Sequence, residues 1–152
     1  MCLQNPRRIN ADKLTTYKIF IKCRDGKYKS IFRLASHSQK YEKQQSYIAK
    51  YHAPPKNEID DYEYYELKQY KPYECFHALH TLEAAETMLQ EIKDVVPLWD
   101  VVLPEDGEQY VICQVTLRGN MFIEERLSQL DKVIQFVAGE YMEIVEEIPV
   151  AV

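Results

Sequence analysis

The stretch Thr16-Tyr-Lys-Ile-Phe-Ile-Lys22, followed by Arg24-Asp-Gly-Lys27 and then Tyr28-Lys-Ser-Ile-Phe32, decides the fold. The first and last of these runs alternate β-forming apolar residues with polar ones, which is the period of a half-buried strand. The dipeptide Asp25-Gly26 between them tolerates the positive φ angles of a type I′ turn. The sequence therefore predicts a β-hairpin near the start of the chain.

A helix is predicted in the middle of the chain, over about residues 81–94. Apolar residues recur there at spacings of three and four, so they form one face, and Thr81 stands where its hydroxyl can cap the first turn. The apolar run 74–79 just before it predicts a buried strand. The residues of the apolar helical face are Leu82, Ala85, Met88, Leu89 and Ile92.

Other strands are predicted on both sides of the helix. Residues 109–118 place apolar side chains on one face, and we expect this strand to end at Gly119-Asn120. In the polar segment before the helix, Tyr41, Tyr47 and Ile48 are possible strand positions.

The last thirty residues allow two interpretations. Apolar residues from Leu130 to Ile148 fit a helical stripe, but Val133-Ile-Gln-Phe-Val137 is rich in β-formers. Because Ala138-Gly-Glu140 stands where a hairpin would turn, we favour two strands, about 132–137 and 141–146, over the helix.

These elements predict an α+β fold, a mostly antiparallel β-sheet packed by one main amphipathic helix. A chain of 152 residues is the size of one domain, so we expect residues 1–152 to form a single domain. Two parts are expected to lie outside the core: a loose basic leader, residues 1–14, and a long acidic, tyrosine-rich loop, about residues 51–73.

The charge is divided between the two parts of the chain. Residues 1–56 carry 13 basic and three acidic residues, a net of 13 − 3 = +10, and residues 57–152 carry 6 − 21 = −15. Such asymmetry is a hint of nucleic-acid contact by the basic part. In one compact domain the two parts can also neutralise each other, so the pattern leaves both interpretations open.

Cysteine usage and hydropathy indicate a cytoplasmic protein. The four cysteines form no C-x-x-C pair, which excludes a zinc ribbon and a thioredoxin motif. No apolar segment opens the chain as a signal peptide would, and the apolar stretch 95–103 is too short to span a bilayer. We expect no membrane contact.

The histidines His77 and His80 are the first candidates for chemistry, because they lie where a strand leads into a helix N-terminus. In an extended strand these two positions point to opposite faces, so they could share a ligand only if the chain turns at Leu79. No third ligand has suitable spacing, and we expect no metal site and no cofactor. Ordinary packing remains the alternative role for both rings.

A second catalytic candidate is Cys2, since removal of Met1 would give it an adjacent α-amine that can serve as its base. Amidotransferases with an N-terminal cysteine begin in a similar way, but they continue with small residues and a glycine. Here Leu3 to Arg8 follow instead.

The acidic segment 57–66 is the candidate binding surface. Tyrosines among acids on an exposed loop offer a partner large contact area at low entropy cost. A solvated loop with its tyrosines against the sheet is the alternative. The residues that we expect to bind are Asp60, Asp61, Tyr62, Glu63, Tyr64 and Tyr65.

Several short phrases resemble a group of small bacterial and phage-borne proteins that begin with Met-Cys-Leu. The matching phrases here are Met1-Cys2-Leu3, Thr16-Tyr-Lys18, the segment Cys75-Phe-His-Ala-Leu-His-Thr-Leu-Glu-Ala-Ala85 and Val115-Thr-Leu-Arg-Gly119. The chain departs from the group at Cys75, where glycine is usual. The resemblance implies the same fold and a phage or mobile-element origin, and it implies no activity.

Three functions follow from the sequence as hypotheses. The leading one is a non-enzymatic module that binds a host or viral protein, because no P-loop, dinucleotide fingerprint or nucleophile elbow is present. The first alternative is an enzyme that acts on a nucleotide-like or acyl substrate through His77, His80 or Cys2. The second is nucleic-acid binding by the basic first third of the chain.

Overall fold

The computed structural model describes residues 7–31, 39–49, 75–94, 101–127 and 131–149. The predicted class is confirmed: within these ranges, one helix packs on a sheet whose named strands pair antiparallel, and one isolated parallel bridge joins Lys43 to Ile144. The strands are β1 (Arg7–Ile9), β2 (Lys13–Lys22), β3 (Tyr28–Ser30), β4 (Lys40–Tyr41), β5 (Ser46–Ile48), β6 (Phe76–Leu79), β7 (Gln109–Leu127) and β8 (Val133–Ile148), and the helix is α1 (Leu82–Asp94).

The predicted hairpin is confirmed as β2 and β3, which pair from Lys22 opposite Tyr28. Its turn differs from the prediction. Gly26 has a φ of 84° but Asp25 does not have a positive φ, and the Gly26 amide donates to the Cys23 carbonyl. A type I turn followed by a left-handed glycine therefore makes a three-residue connection, because only Gly26 has to adopt the left-handed conformation.

The predicted helix is confirmed as α1. The Ala84 amide donates to the Thr81 hydroxyl at 3.1 Å, so Thr81 caps the first turn as expected. The helix buries its apolar face against the sheet, where it contacts the side chains of Ile19, Ile21 and Ile112 in one hydrophobic core. Helix α1 thereby covers one end of this face of the sheet.

The C-terminal region is β-structure, and the helical alternative is wrong. Apart from Lys132, the predicted ranges 132–137 and 141–146 lie in β8, which runs without a turn through Gly139. A Cβ at Gly139 would lie 2.9 Å from Leu117 Cβ, so this glycine serves close packing between β8 and β7 rather than a turn.

The strand expected to end at Gly119-Asn120 continues to Leu127. Gly119 has a φ of 82°, and the β7–β8 register shifts between Arg118 and Met121, so the two residues form an irregularity inside β7. Such a shift bends a strand without ending it. Pairing between β7 and β8 resumes after the irregularity.

Of residues 1–14, which we expect to form a loose leader, the structure describes residues 7–14. Arg7–Ile9 pairs with β7, and β2 already begins at Lys13. The expected acidic loop, residues 51–73, lies outside the described residues. The possible strand positions Tyr41, Tyr47 and Ile48 do lie in β4 and β5.

The strand pairings form a ring, from β2 to β7, β8, β6 and back to β2. The sheet is therefore rolled, and it has an inner and an outer face. The inner face holds a core of its own, whose fully buried members include Phe20, Tyr28, Val115, Leu117, Met142 and Ile144. The outer face carries α1 at one end.

Candidate functional site

Four exposed side chains form a row across the outer face, at the end away from α1. Lys13 pairs with Arg118, Arg118 with Tyr141, and Tyr141 with Ile48, so the row crosses β2, β7, β8 and β5 in register. Paired residues of adjacent strands point to the same face of a sheet. We call these four residues the outer row.

The neighbouring positions on the same strands confirm this orientation. The next residue on each strand belongs to the inner core, and the register joins these four as well. Tyr141 is 40% exposed and Ile48 is 62% exposed, although both are large and apolar. The inner residues beneath the row are Leu14, Leu117, Met142 and Tyr47.

Two positive charges stand directly opposite each other in the outer row. Lys13 and Arg118 are both exposed, and neither forms an ion pair or a side-chain hydrogen bond with any part of the chain that the structure describes. Like charges opposite each other destabilise a strand pair. Thr15 and Thr116 form the next outer pair and place two hydroxyl groups beside the cations.

The ring of Tyr141 is positioned by Gly119. A Cβ at Gly119 would lie 2.8 Å from Tyr141 Cδ2, so the ring lies against the glycine backbone, where any side chain would displace it. The Ala49 amide donates to the Glu140 carbonyl at 2.8 Å and holds the end of β5 beside β8. These contacts therefore set the positions of Tyr141 and Ile48, the apolar end of the outer row.

A buried ammonium group is the second unusual feature. Lys18 is 7% exposed, and its Nζ donates to the backbone carbonyl of His77 and lies 5.7 Å from the centre of the Phe20 ring. Burial lowers the pKa of Lys18 to about 8, because the charged form loses hydration. No carboxylate pairs with this ammonium among the described residues.

The ring of His77 is held neutral beside this lysine. Burial lowers its pKa to about 3, and the charge of Lys18 contributes to the same shift. One ring nitrogen is hydrogen-bonded to the backbone of Cys75, and Nε2 is buried and has no hydrogen-bond partner among the described residues. Lys18 and His77 line a cavity of about 20 Å³, which is room for one water molecule.

The two predicted histidines do not act together. His80 Nδ1 lies 2.6 Å from Gln135 Oε1, whereas the His77 ring is bonded to the Cys75 backbone. Within the described ranges, no three His, Cys, Asp or Glu side chains are close enough to hold a metal ion. The other predicted site residues, Cys2 and the six between Asp60 and Tyr65, lie outside the described residues.

Sequence reasoning does not predict that Lys18 is buried, and it does not predict the outer row. Lys18 stands in an alternating strand at a position where an ordinary lysine would be exposed, and no local pattern distinguishes it from Lys22. The outer row joins four segments of the chain, so it becomes visible only when the strand register is known. The alternation of residues 109–118 did indicate that Arg118 faces away from Leu117.

Comparison with protein-family models, with characterised proteins and with solved structures finds no match to this chain.

In the part of the chain that the structure describes, no helix has the length and apolar character needed to cross a membrane.

Proposed function

We propose that this chain is a non-enzymatic protein-binding module and that the outer row is its contact surface. The observation that carries the proposal is the register that brings the exposed residues Lys13, Arg118, Tyr141 and Ile48 side by side on the outer face. Arginine and tyrosine are the residue types enriched at binding hot spots, and exposed aliphatic side chains supply apolar contact area.

The charge of the row defines the chemistry of the partner. Lys13 and Arg118 repel each other in the free chain, so an anionic group placed over them relieves a repulsion as well as forming new contacts. Tyr141 and Ile48 at the other end offer an aromatic ring and an aliphatic side chain. The partner that fits is a protein surface with an acidic group beside an apolar one.

A host-cell protein is the partner that we propose, because the chain resembles phage-borne proteins. The acidic residues from Asp60 to Glu63 and the tyrosines beside them remain a predicted second contact surface, with charge opposite to that of the outer row. A partner that uses both would present acidic and basic groups together.

An enzyme is the second candidate function, favoured by Lys18 and His77. A lysine whose pKa is near 8 has a partly neutral amine at pH 7 and can act as a nucleophile, and a neutral imidazole can accept a proton. The cavity that the two residues line is, however, too small for a substrate. The hydrogen bond from Lys18 to the His77 carbonyl links β2 to β6, and this structural role accounts for Lys18 without a catalytic one.

The test is capture of partners by the immobilised protein, compared with the variants R118E and Y141A. Lysate of the cells in which the protein is made supplies the partners, and mass spectrometry quantifies them. We expect at least one protein that the native chain retains and that both variants lose by about tenfold or more, as for hot-spot residues. Equal capture by native protein and both variants would contradict the proposal.

Two controls separate binding from folding. K93E makes the same charge change on the exposed end of α1 and should leave capture unchanged. R118E places opposite charges across β2 and β7, so its thermal midpoint should equal or exceed that of the native chain. Loss of capture without loss of stability identifies Arg118 as a contact residue.

A further inference from the structure

We propose that Lys13 and Arg118 form a seat for a phosphate monoester carried on a side chain of the partner protein. This inference rests on the proposed function, because it names the group that the basic end of the outer row recognises. It is drawn from the placement, on one exposed patch of the sheet, of two hydroxyl groups and two cations that have no ion-pair partner among the described residues.

The donors of this patch converge from two strands. Lys13 and Thr15 stand two residues apart on β2, and Arg118 and Thr116 stand opposite them on β7. Opposite residues have Cβ atoms about 5 Å apart, and residues two apart on a strand are about 7 Å apart, so one small group can reach all four. An arginine binds two phosphate oxygens through its planar fork, and a lysine adds a point charge.

A dianion fits this patch better than a carboxylate does. Two cations that lack an acidic partner in the part of the chain that the structure describes leave two charges to be balanced, and a phosphate monoester carries between about −1.5 and −2 at pH 7. A single carboxylate balances only one of them. The three free oxygens of the phosphate can also accept hydrogen bonds from the hydroxyl groups of Thr15 and Thr116. A bound carboxylate would leave some of these donors without an acceptor.

The surroundings favour one phosphate over a chain of phosphates. Glu143 stands beside Thr116 in the second outer pair, and Glu140 accepts a hydrogen bond from the Asn120 amide at 2.7 Å. These carboxylates border the patch on the β8 side and would repel a polyanion laid along the row. A phosphorylated side chain needs only the Lys13–Arg118 end, so a phosphoprotein fits and a nucleic acid does not.

The register also sets the spacing of the recognised peptide. Three strand separations of about 4.8 Å place Ile48 about 14 Å from Lys13. An extended peptide rises about 3.3 Å per residue, so a residue four positions along lies about 13 Å away, and its side chain points to the same side of the peptide. We therefore expect an apolar residue four positions from the phosphorylated one, seated at Tyr141 and Ile48.

The test uses three immobilised peptide libraries with degenerate flanks and one fixed central residue, which is phosphoserine, serine or glutamate. A single-stranded thymidine oligonucleotide of about the same length is the fourth ligand. We expect the phosphoserine library to bind at least about tenfold more protein than the others, as a double charge-assisted contact implies. Sequencing of the retained phosphopeptides should show apolar residues four positions from the phosphoserine.

The variants R118Q and K13Q should lower binding of the phosphoserine library to the level of the serine library, and K93Q should not. Equal binding of the serine or glutamate library overturns the phosphate seat. Tighter binding of the oligonucleotide overturns it in favour of nucleic acid. If a captured partner is lost by R118E but retained after phosphatase treatment, the proposed function stands and this inference fails.

Discussion

The ammonium group of Lys18 donates a hydrogen bond to the backbone carbonyl of His77, at the place where β2 and β6 diverge. These strands pair at one position, Tyr17 with Leu79, and this pairing completes the ring of strands. The hydrogen bond from Lys18 therefore adds a second link between β2 and β6, beside their single strand pairing. Burial removes water from the charged form of Lys18, so we expect the stability of this link between β2 and β6 to depend on pH.

Replacing Lys18 with methionine should change how stability depends on alkaline pH. The folded pKa of Lys18 is about 8 and its ordinary value is 10.5, so the unfolded chain binds more protons between these values. The native chain should therefore gain about 3 kcal/mol of unfolding free energy relative to K18M as pH rises from 8 to 10.5. Urea unfolding of both proteins at a series of pH values measures this difference.

The comparison with K18M is needed because buried tyrosines titrate in the same range. Burial raises the pKa of Tyr28, Tyr41 and Tyr110, which lowers stability at high pH and opposes the contribution of Lys18. K22M, which replaces a more exposed lysine of the same strand, serves as the control for loss of a lysine side chain. A constant difference between native and K18M would show that Lys18 is not buried as a charge.

His77 should make the fold sensitive to acid. Its pKa in the folded chain is about 3, below the ordinary value of 6.5, so stability falls as protons bind to the unfolded chain below pH 6.5. Relative to H77N, the native chain should lose about 3 kcal/mol between pH 6.5 and 4.5. Denaturant unfolding at both pH values measures this, with H80N as the histidine control. An equal loss in the native chain and H77N would contradict the burial of this ring.

Gly119 and Gly26 form a matched pair of substitution sites. Both have a φ above 80°, but a Cβ at Gly26 meets no atom within 4 Å, whereas one at Gly119 meets the Tyr141 ring. G26A should cost about 1 kcal/mol from backbone strain alone. G119A should cost more than this, and it should also weaken partner capture because Tyr141 is displaced from the outer row. Thermal melts and the capture assay measure both, and equal effects of the two variants would contradict the placement of Tyr141.

The elements that the sequence predicted correctly are those set by local patterns. The β2–β3 hairpin follows from alternation on both sides of Asp25-Gly26, and α1 follows from its apolar spacing and the Thr81 cap. The sequence predicts a strand end at Gly119 and a turn at Gly139, because an isolated glycine has the same signal there as it has inside a strand. Contact between Gly139 and Leu117, 22 residues earlier in the chain, decides the outcome.

The candidate site was less predictable than the fold, because it depends on contacts between distant segments. Lys13 and Arg118 are 105 residues apart in the chain, and only the β2–β7 register places them opposite each other. Lys18 is buried because β6 lies beside it, which the alternation of β2 does not reveal. Residue type alone makes His77 and His80 candidates, and their separate hydrogen-bond partners give them no shared ligand.

Hydroxyl-radical footprinting of the chain, alone and with a captured partner, tests most directly whether the outer row is the contact surface. Mass spectrometry would compare oxidation of Tyr141 and Ile48 with that of Leu103, which is 69% exposed and belongs to neither the row nor its strands. We predict that oxidation of Tyr141 and Ile48 falls severalfold on binding while that of Leu103 is unchanged. Unchanged oxidation of Tyr141 and Ile48 in the complex would contradict the account.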